Sequence, residues 1–175
     1  MVGTYAGDRL LRLCELWSAT DMMLADALET CRLAVLVACS SAAGVGRVEE
    51  SPTVPISLQL AGVDTVVGTR WEVAEGYAAL WILGFLELLG GQGGGRLDVP
   101  AAVRRTSARL SALGLAEAQE LLLGLADRTD DPFAAMELEA YAHHLAGDAP
   151  FASLVHAQAF YVTGRPVLDF QAVNG

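Results

Sequence analysis

The sequence predicts an α/β fold, with a small, largely parallel sheet flanked by helices. Three observations carry this reading. Residues 33–38, Leu-Ala-Val-Leu-Val-Ala, form a continuous apolar run without alternation, the pattern of a strand covered on both faces. Residues 54–61 have helical character and stop at Gly62. Residues 65–68, Thr-Val-Val-Gly, are β-branched in character and read as a second buried strand. Strand, helix and strand in that order make a βαβ unit, whose two strands run parallel with a right-handed crossover.

The remaining elements follow from local signals. Residues 18–30 open on capping types and place Met23, Leu24, Ala27 and Leu28 at helical spacing, which predicts a short helix. Residues 40–50, rich in Ser, Ala and Gly, read as the loop after the first strand. Residues 75–89 have the length and apolar content of a core helix, ended by the glycine run at 90–95. Asp98 or Val99 starts the next helix, with Pro100 tolerated in its first turn and Val103, Leu110 and Leu113 as its buried stripe. Residues 115–125 and 133–145 add two helical segments, the second entered through a turn at Asp130, Asp131 and Pro132. Residues 159–163, Ala-Phe-Tyr-Val-Thr, closed by Gly164, read as the last strand. The residues up to Trp17 show no strand of their own, so the sheet is expected to lack its N-terminal strands. Residues 1–19 are therefore set apart as an N-terminal segment and 20–170 as the domain.

Composition limits what such a domain does. At 175 residues the chain is one domain's worth of material, and 53% hydrophobic against 18% charged types exclude a disordered chain. The net charge is -10, and all eleven basic residues are arginine. Non-specific nucleic-acid binding needs a basic stripe to displace counterions, and the one cluster, Arg104, Arg105 and Arg109, reads as the solvated face of a helix. Cys14, Cys31 and Cys39 are odd in number and form no C-x-x-C pair, so neither a disulfide framework nor a zinc ribbon is indicated, and a reducing cytoplasm fits. No secretory signal opens the chain, and the longest uncharged apolar stretch, 76–86, is far short of the roughly 18–20 residues that span a membrane.

In open α/β sheets ligands bind beyond the carboxyl ends of the strands, where connecting loops splay apart. Cys39 takes that place. It closes the first strand and precedes a loop of small residues that lets a substrate backbone approach. A neighbouring base would convert it to the thiolate that attacks carbonyls, whereas without one it is a packed free thiol. His143 and His144 are adjacent on a helix and point in different directions, which suits solvated or packed side chains better than a metal site. The glycine run lacks the spacing and the lysine of a phosphate cradle and reads as a flexible helix-to-helix connection. Asp130 and Asp131 read as a helix start, with an acid/base pair as the lesser alternative, and Trp71 as a core or pocket-wall aromatic. No cofactor and no metal is expected.

Four segments share a further pattern. Residues 31–39, Cys-Arg-Leu-Ala-Val-Leu-Val-Ala-Cys, resemble the strand and nucleophile segment of the CHAT domains, bacterial relatives of the caspases and separases. Residues 60–73 resemble that family's helix end, following strand and Trp-x-Val turn, and residues 101–105 its Ala-Leu-Arg helix. Residues 150–152 and 159–164 resemble its closing strand. The resemblance implies a caspase-like α/β fold and a cysteine peptidase mechanism acting on a protein or peptide, with Cys39 as nucleophile. In that mechanism a histidine serves as base and then as acid to the leaving amine, while backbone N–H groups hold the oxyanion.

The family's histidine precedes its cysteine, and here no histidine precedes Cys39. All three lie downstream, at 143, 144 and 156, so the dyad does not carry over. His156 falls where the family has an aromatic and reads as a structural substitution. Val37 replaces a serine, and the loop from Ser40 lacks the acidic and Thr-Gly types that follow the nucleophile. Two readings stand: a partial CHAT domain over 20–170, the nucleophile-bearing part of a longer peptidase, or a non-catalytic caspase-like module that binds a partner protein.

Overall fold

The computed structural model describes residues 2–6, 9–13, 28, 30–37, 54–90 and 95–170. Seven strands and six helices are found among them: β1 (Val2–Ala6), β2 (Arg9–Leu13), β3 (Leu33–Leu36), α1 (Val54–Leu60), β4 (Thr65–Thr69), α2 (Glu75–Gly90), β5 (Gly95–Asp98), α3 (Val99–Ser111), α4 (Leu115–Ala126), α5 (Pro132–His144), α6 (Leu154–Ala157), β6 (Phe160–Gly164) and β7 (Val167–Phe170). The chain is α/β and divides into two compact units. The first holds Met1–Glu72, Gly93–Ala101 and Ala159–Gly175, and the second Val73–Gln92 and Ala102–Gln158.

The first unit is built on a five-stranded sheet of order β2-β1-β3-β4-β6. β3 and β4 run parallel, with Leu33 level with Thr65 and Val35 with Val67, as the βαβ pattern requires. Every other junction is antiparallel, so the sheet is mixed where a largely parallel one was expected. A buried apolar strand reads the same in either direction, and nothing local in residues 160–164 fixes which way β6 runs. A second correction concerns the N-terminus. β1 and β2 pair in a hairpin with Ala6 opposite Arg9, and β1 continues the sheet beside β3, so strands precede residue 20.

β4 lies between β3 and β6 with all five residues buried. α1 covers the β3–β4 pair because its apolar residues repeat at helical spacing: Leu58 is buried, and Val54 and Ala61 pack with it against Leu28, Cys31, Ala34, Leu36, Val63 and Val66. Gly62 ends α1 at φ 102°, a left-handed conformation that glycine adopts without a Cβ penalty. There the Val63 N–H donates to Leu58 O at 3.0 Å and the Gly62 N–H to Gln59 O at 3.1 Å. This is a Schellman stop, closed by the apolar contact of Val63 with Leu58.

At the amino edge of the β3–β4 pair, Asp64 is bonded to Arg32 through its Oδ2 and to Arg165 through its Oδ1 at 3.2 Å. β5 and β7 form a separate two-stranded sheet in which the buried Leu97 and Leu168 stand opposite each other. Gly95, the last glycine of the run, opens β5. The connection after α2 therefore carries a strand, where a flexible helix-to-helix connection was expected.

α3 starts where the sequence places it. The Asp98 carboxylate accepts the Ala101 N–H at 2.8 Å, and Val103, Leu110 and Leu113 are buried. In the second unit, Tyr77, Trp81 and Phe85 repeat every four residues along one buried face of α2. Trp81 stacks on Phe85 at 5.0 Å and donates its indole N–H to Ser107 Oγ at 3.0 Å. α4 and α5 pack through Ala118, Leu122 and Ala126 against Leu138 and Ala142. Asp131 caps α5 by accepting the Phe133 N–H at 2.9 Å, with Pro132 at the first helical position. The helix expected over 18–30 and the loop expected over 40–50 fall largely or wholly outside the described residues.

Candidate functional site

Parallel pairing brings the carboxyl ends of β3 and β4 to one edge of the sheet, and antiparallel pairing brings the amino ends of β1 and β6 to the same edge. Val2 stands opposite Leu36, and Thr69 opposite Phe160. This is the edge at which ligands bind in α/β sheets. Cys39 follows β3 by three residues and lies outside the described residues.

Beyond β4 the ladder extends by one bond, from the Arg70 N–H to Ala159 O at 2.8 Å. Arg70 is exposed, and its guanidinium lies over the Tyr161 ring at 5.7 Å from the centroid. The register explains the contact. Tyr161 stands opposite Gly68, so Arg70, two residues on, is its diagonal neighbour on the same face, and Gly68 has no side chain to occupy the space above the ring. Burial pushes the Tyr161 hydroxyl above its ordinary range, and the Arg70 charge only partly offsets it. Trp71, the next residue, is half-buried.

The cysteine within the described part of the chain is of another kind. Cys31 is buried, its thiol donates to Leu33 O at 3.5 Å, and burial pushes its pKa up, as befits an inert core thiol.

The three histidines are placed in the second unit. His143 and His144 are exposed in the last turn of α5, and His144 Nδ1 donates to Ala140 O at 2.6 Å. His156 packs as an aromatic: its ring centroid lies 4.6 Å from that of Tyr77 and 5.5 Å from that of Phe151. Its Nδ1 bonds Ser153 Oγ at 2.9 Å, and the Tyr77 hydroxyl donates to its carbonyl at 2.9 Å. Burial lowers the pKa of its imidazole. Arg104, Arg105 and Arg109 are exposed on α3, and Arg109 pairs with Glu87 at 3.0 Å. Asp131 is committed to its helix cap. Among the described residues no three His, Cys, Asp or Glu side chains gather into a metal-binding group, and no helix is long and apolar enough to cross a membrane.

Sequence reading singled out neither Arg70 nor Tyr161. The signal was present in Gly68-Thr69-Arg70 beside Phe160-Tyr161, but it becomes visible only once the antiparallel register is known.

A five-stranded mixed sheet with a parallel β3–β4 pair joined through α1 defines the α/β class of this domain. Within that class, a family model of the CHAT domain matches residues 6–119, more than half of the chain, and the chain belongs to the CHAT domain family. The match takes in β2, β3, β4 and the segments at 31–39, 60–73 and 101–105. No curated protein and no solved structure matches the chain.

Proposed function

We propose that this CHAT domain is a caspase-like cysteine peptidase unit with Cys39 as its nucleophile, acting on a protein or peptide in a reducing cytoplasm. The observation that supports the reading is that β3, the middle strand of the sheet, ends three residues before Cys39 in the sequence, in a chain of this family. The Cys39 thiolate would add to a peptide carbonyl and expel the amine, leaving a thioester that water hydrolyses. The base that takes the thiol proton and returns it to the amine is not among the residues before Cys39. A histidine from another segment or another chain would supply it. The caspase-like arrangement belongs to the same proposal, as does a domain that adds the β1–β2 hairpin to residues 20–170.

The missing histidine favours a second reading, a non-catalytic module that binds a partner protein. Iodoacetamide alkylation of Cys39, followed by mass spectrometry across pH with Cys31 as the slow internal reference, separates the two. Half-maximal reactivity well below about pH 8.5 is expected of an activated thiol. A Cys39 that titrates at or above the ordinary value makes the partner-binding module the better account.

A further inference from the structure

We infer that the exposed face of α5 docks on the arginine face of α3 in a second copy of this chain, so that copies associate head to tail. The inference involves no residue of the peptidase reading, and both faces lie in the second unit. α5 keeps Leu138 and Ala142 for its contact with α4 and presents Phe133, Met136 and Ala140 outward, three and four residues apart, the spacing of a helix seam. Phe133 is 74% and Met136 57% exposed, so this is a continuous apolar seam, whereas a solvated face carries such side chains singly. Glu137 and Glu139 flank it, both exposed and neither with a cationic partner among the described residues. Glu137 instead shares a hydrogen bond with Glu75 and feels the charge of Glu75 and, more weakly, of Asp131, all of which raise its pKa, the mark of negative charge without a counter-ion.

The complementary face is on α3, which turns Val103, Ser107 and Leu110 inward and presents Arg104, Arg105, Ala108 and Arg109 to solvent. Arg109 is paired with Glu87, while Arg104 and Arg105 have no carboxylate partner among the described residues. Other arginines without one, such as Arg96 on β5, stand singly, whereas these two are adjacent and share their face with a third. Ala108, one turn on from Arg104, leaves room beside the guanidinium groups for a large side chain.

Charge selects the occupant. The net charge of -10 repels copies of the chain, but physiological salt screens that repulsion beyond about 8 Å and leaves contacts between neighbouring charges to decide the orientation. Two α5 faces would oppose carboxylate to carboxylate, and two α3 faces arginine to arginine. Setting α5 on α3 pairs Glu137 and Glu139 with Arg104 and Arg105 and covers Phe133 and Met136. Within one copy the faces are held apart by α2, whose Gly76 lies against the Tyr141 ring of α5 and whose Trp81 and Glu87 bond Ser107 and Arg109 of α3. The contact is therefore heterologous, and each copy keeps one face of each kind for a further copy.

The test is sedimentation velocity of the full chain at physiological salt, from about 1 to 100 μM. The mean mass is expected to rise with concentration past that of a dimer, as a head-to-tail contact implies. Arg104→Glu with Arg105→Glu disables the α3 face, and Phe133→Ser with Met136→Ser disables the α5 face. Each pair is expected to weaken association about a hundredfold. All four side chains are exposed, so the fold should survive, which circular dichroism checks. Mixed together, the two variants should form a dimer and nothing larger, because α5 of the first still meets α3 of the second. A wild-type chain that stays monomeric overturns the inference. So does association that both variants retain, or a mixture that stays monomeric while the wild type assembles.

Discussion

Replacing Gly164 by alanine tests the junction at which β6 turns toward β7. Gly164 has φ 94°, where an L-residue with a Cβ is disfavoured by about 1–2 kcal/mol. The added methyl also has no room: it would overlap the Asp64 carbonyl oxygen, stand 2.5 Å from Gln59 Nε2 and lie 3.2 Å from the Asp64 carbonyl carbon. The Gln59 side chain can move away, but the Asp64 main chain cannot, because Asp64 O already accepts the Arg165 N–H at 2.9 Å and Thr65 Oγ1 donates to Arg165 O at 2.6 Å. Overpacking of this kind adds about 1–3 kcal/mol, so Gly164→Ala should cost about 2–5 kcal/mol in all. Gly124 gives the control within the same fold. It lies inside α4 with nothing within 4 Å of a built Cβ, so Gly124→Ala should gain about 0.5–1 kcal/mol from helix propensity. Urea unfolding followed by circular dichroism measures both. Midpoints that move the same way for the two variants would refute the argument that backbone conformation and the Asp64 carbonyl set the requirement at Gly164.

Three further outcomes follow from buried or crowded polar groups. Ser57 is buried on α1 and its hydroxyl has no hydrogen-bond partner among the described residues, so Ser57→Ala should raise the urea midpoint by an amount equivalent to about 1 kcal/mol; a lowered midpoint would mean that the hydroxyl is satisfied. The His156 pKa is lowered by burial, so the unfolded chain binds the proton more readily, and stability should fall as pH drops below about 6.5 until the folded-state value is passed. His156→Phe should remove that slope, and an NMR titration of the ring proton should place the pKa below the ordinary value. Glu137 lies beside Glu75 and, more weakly, Asp131, and these carboxylates raise its pKa. A raised carboxyl pKa in the folded state contributes stability at low pH that is lost as pH rises through it. Glu137→Gln should flatten this dependence in thermal melts across pH 4 to 7, and an unchanged slope would show that the carboxylates do not interact.

Much of the fold was legible because its strongest signals are local. The apolar run through Leu33 and Leu36, the Gly62 stop and the β-branched Val66 and Val67 define β3, α1 and β4 and their parallel pairing. Asp98 and Asp131 mark helix starts through ordinary capping chemistry. What escaped reading was short or depends on distant partners. β5 and β7 are four residues each, with a single described buried position apiece in Leu97 and Leu168, too little for any period to register. The β1–β2 hairpin did leave a trace, since Gly7 and Asp8 are turn types separating the paired Ala6 and Arg9, but Arg9 and Arg12 break the apolar alternation that marks a strand. Cys39 was singled out from its place after an apolar run and lies outside the described residues. Arg70 and Tyr161 were not, because they are far apart in sequence and meet only through the β4–β6 register.

The way β4 is paired bears on how the chain emerges from the ribosome. Its partner β3 lies upstream in the sequence, but β6, which pairs with its other edge from Phe160 to Gly164, is translated only after the whole of α2 to α6. At the usual pace of synthesis that interval is roughly 5 to 20 seconds. During it, one row of β4 amides and carbonyls waits unpaired in an apolar strand, the condition under which nascent sheets join wrong neighbours. The helices of the second unit, rich in local contacts, are able to form in that time, so the order of synthesis leaves the two sheets of the first unit, completed by β6 and then β7, to close last.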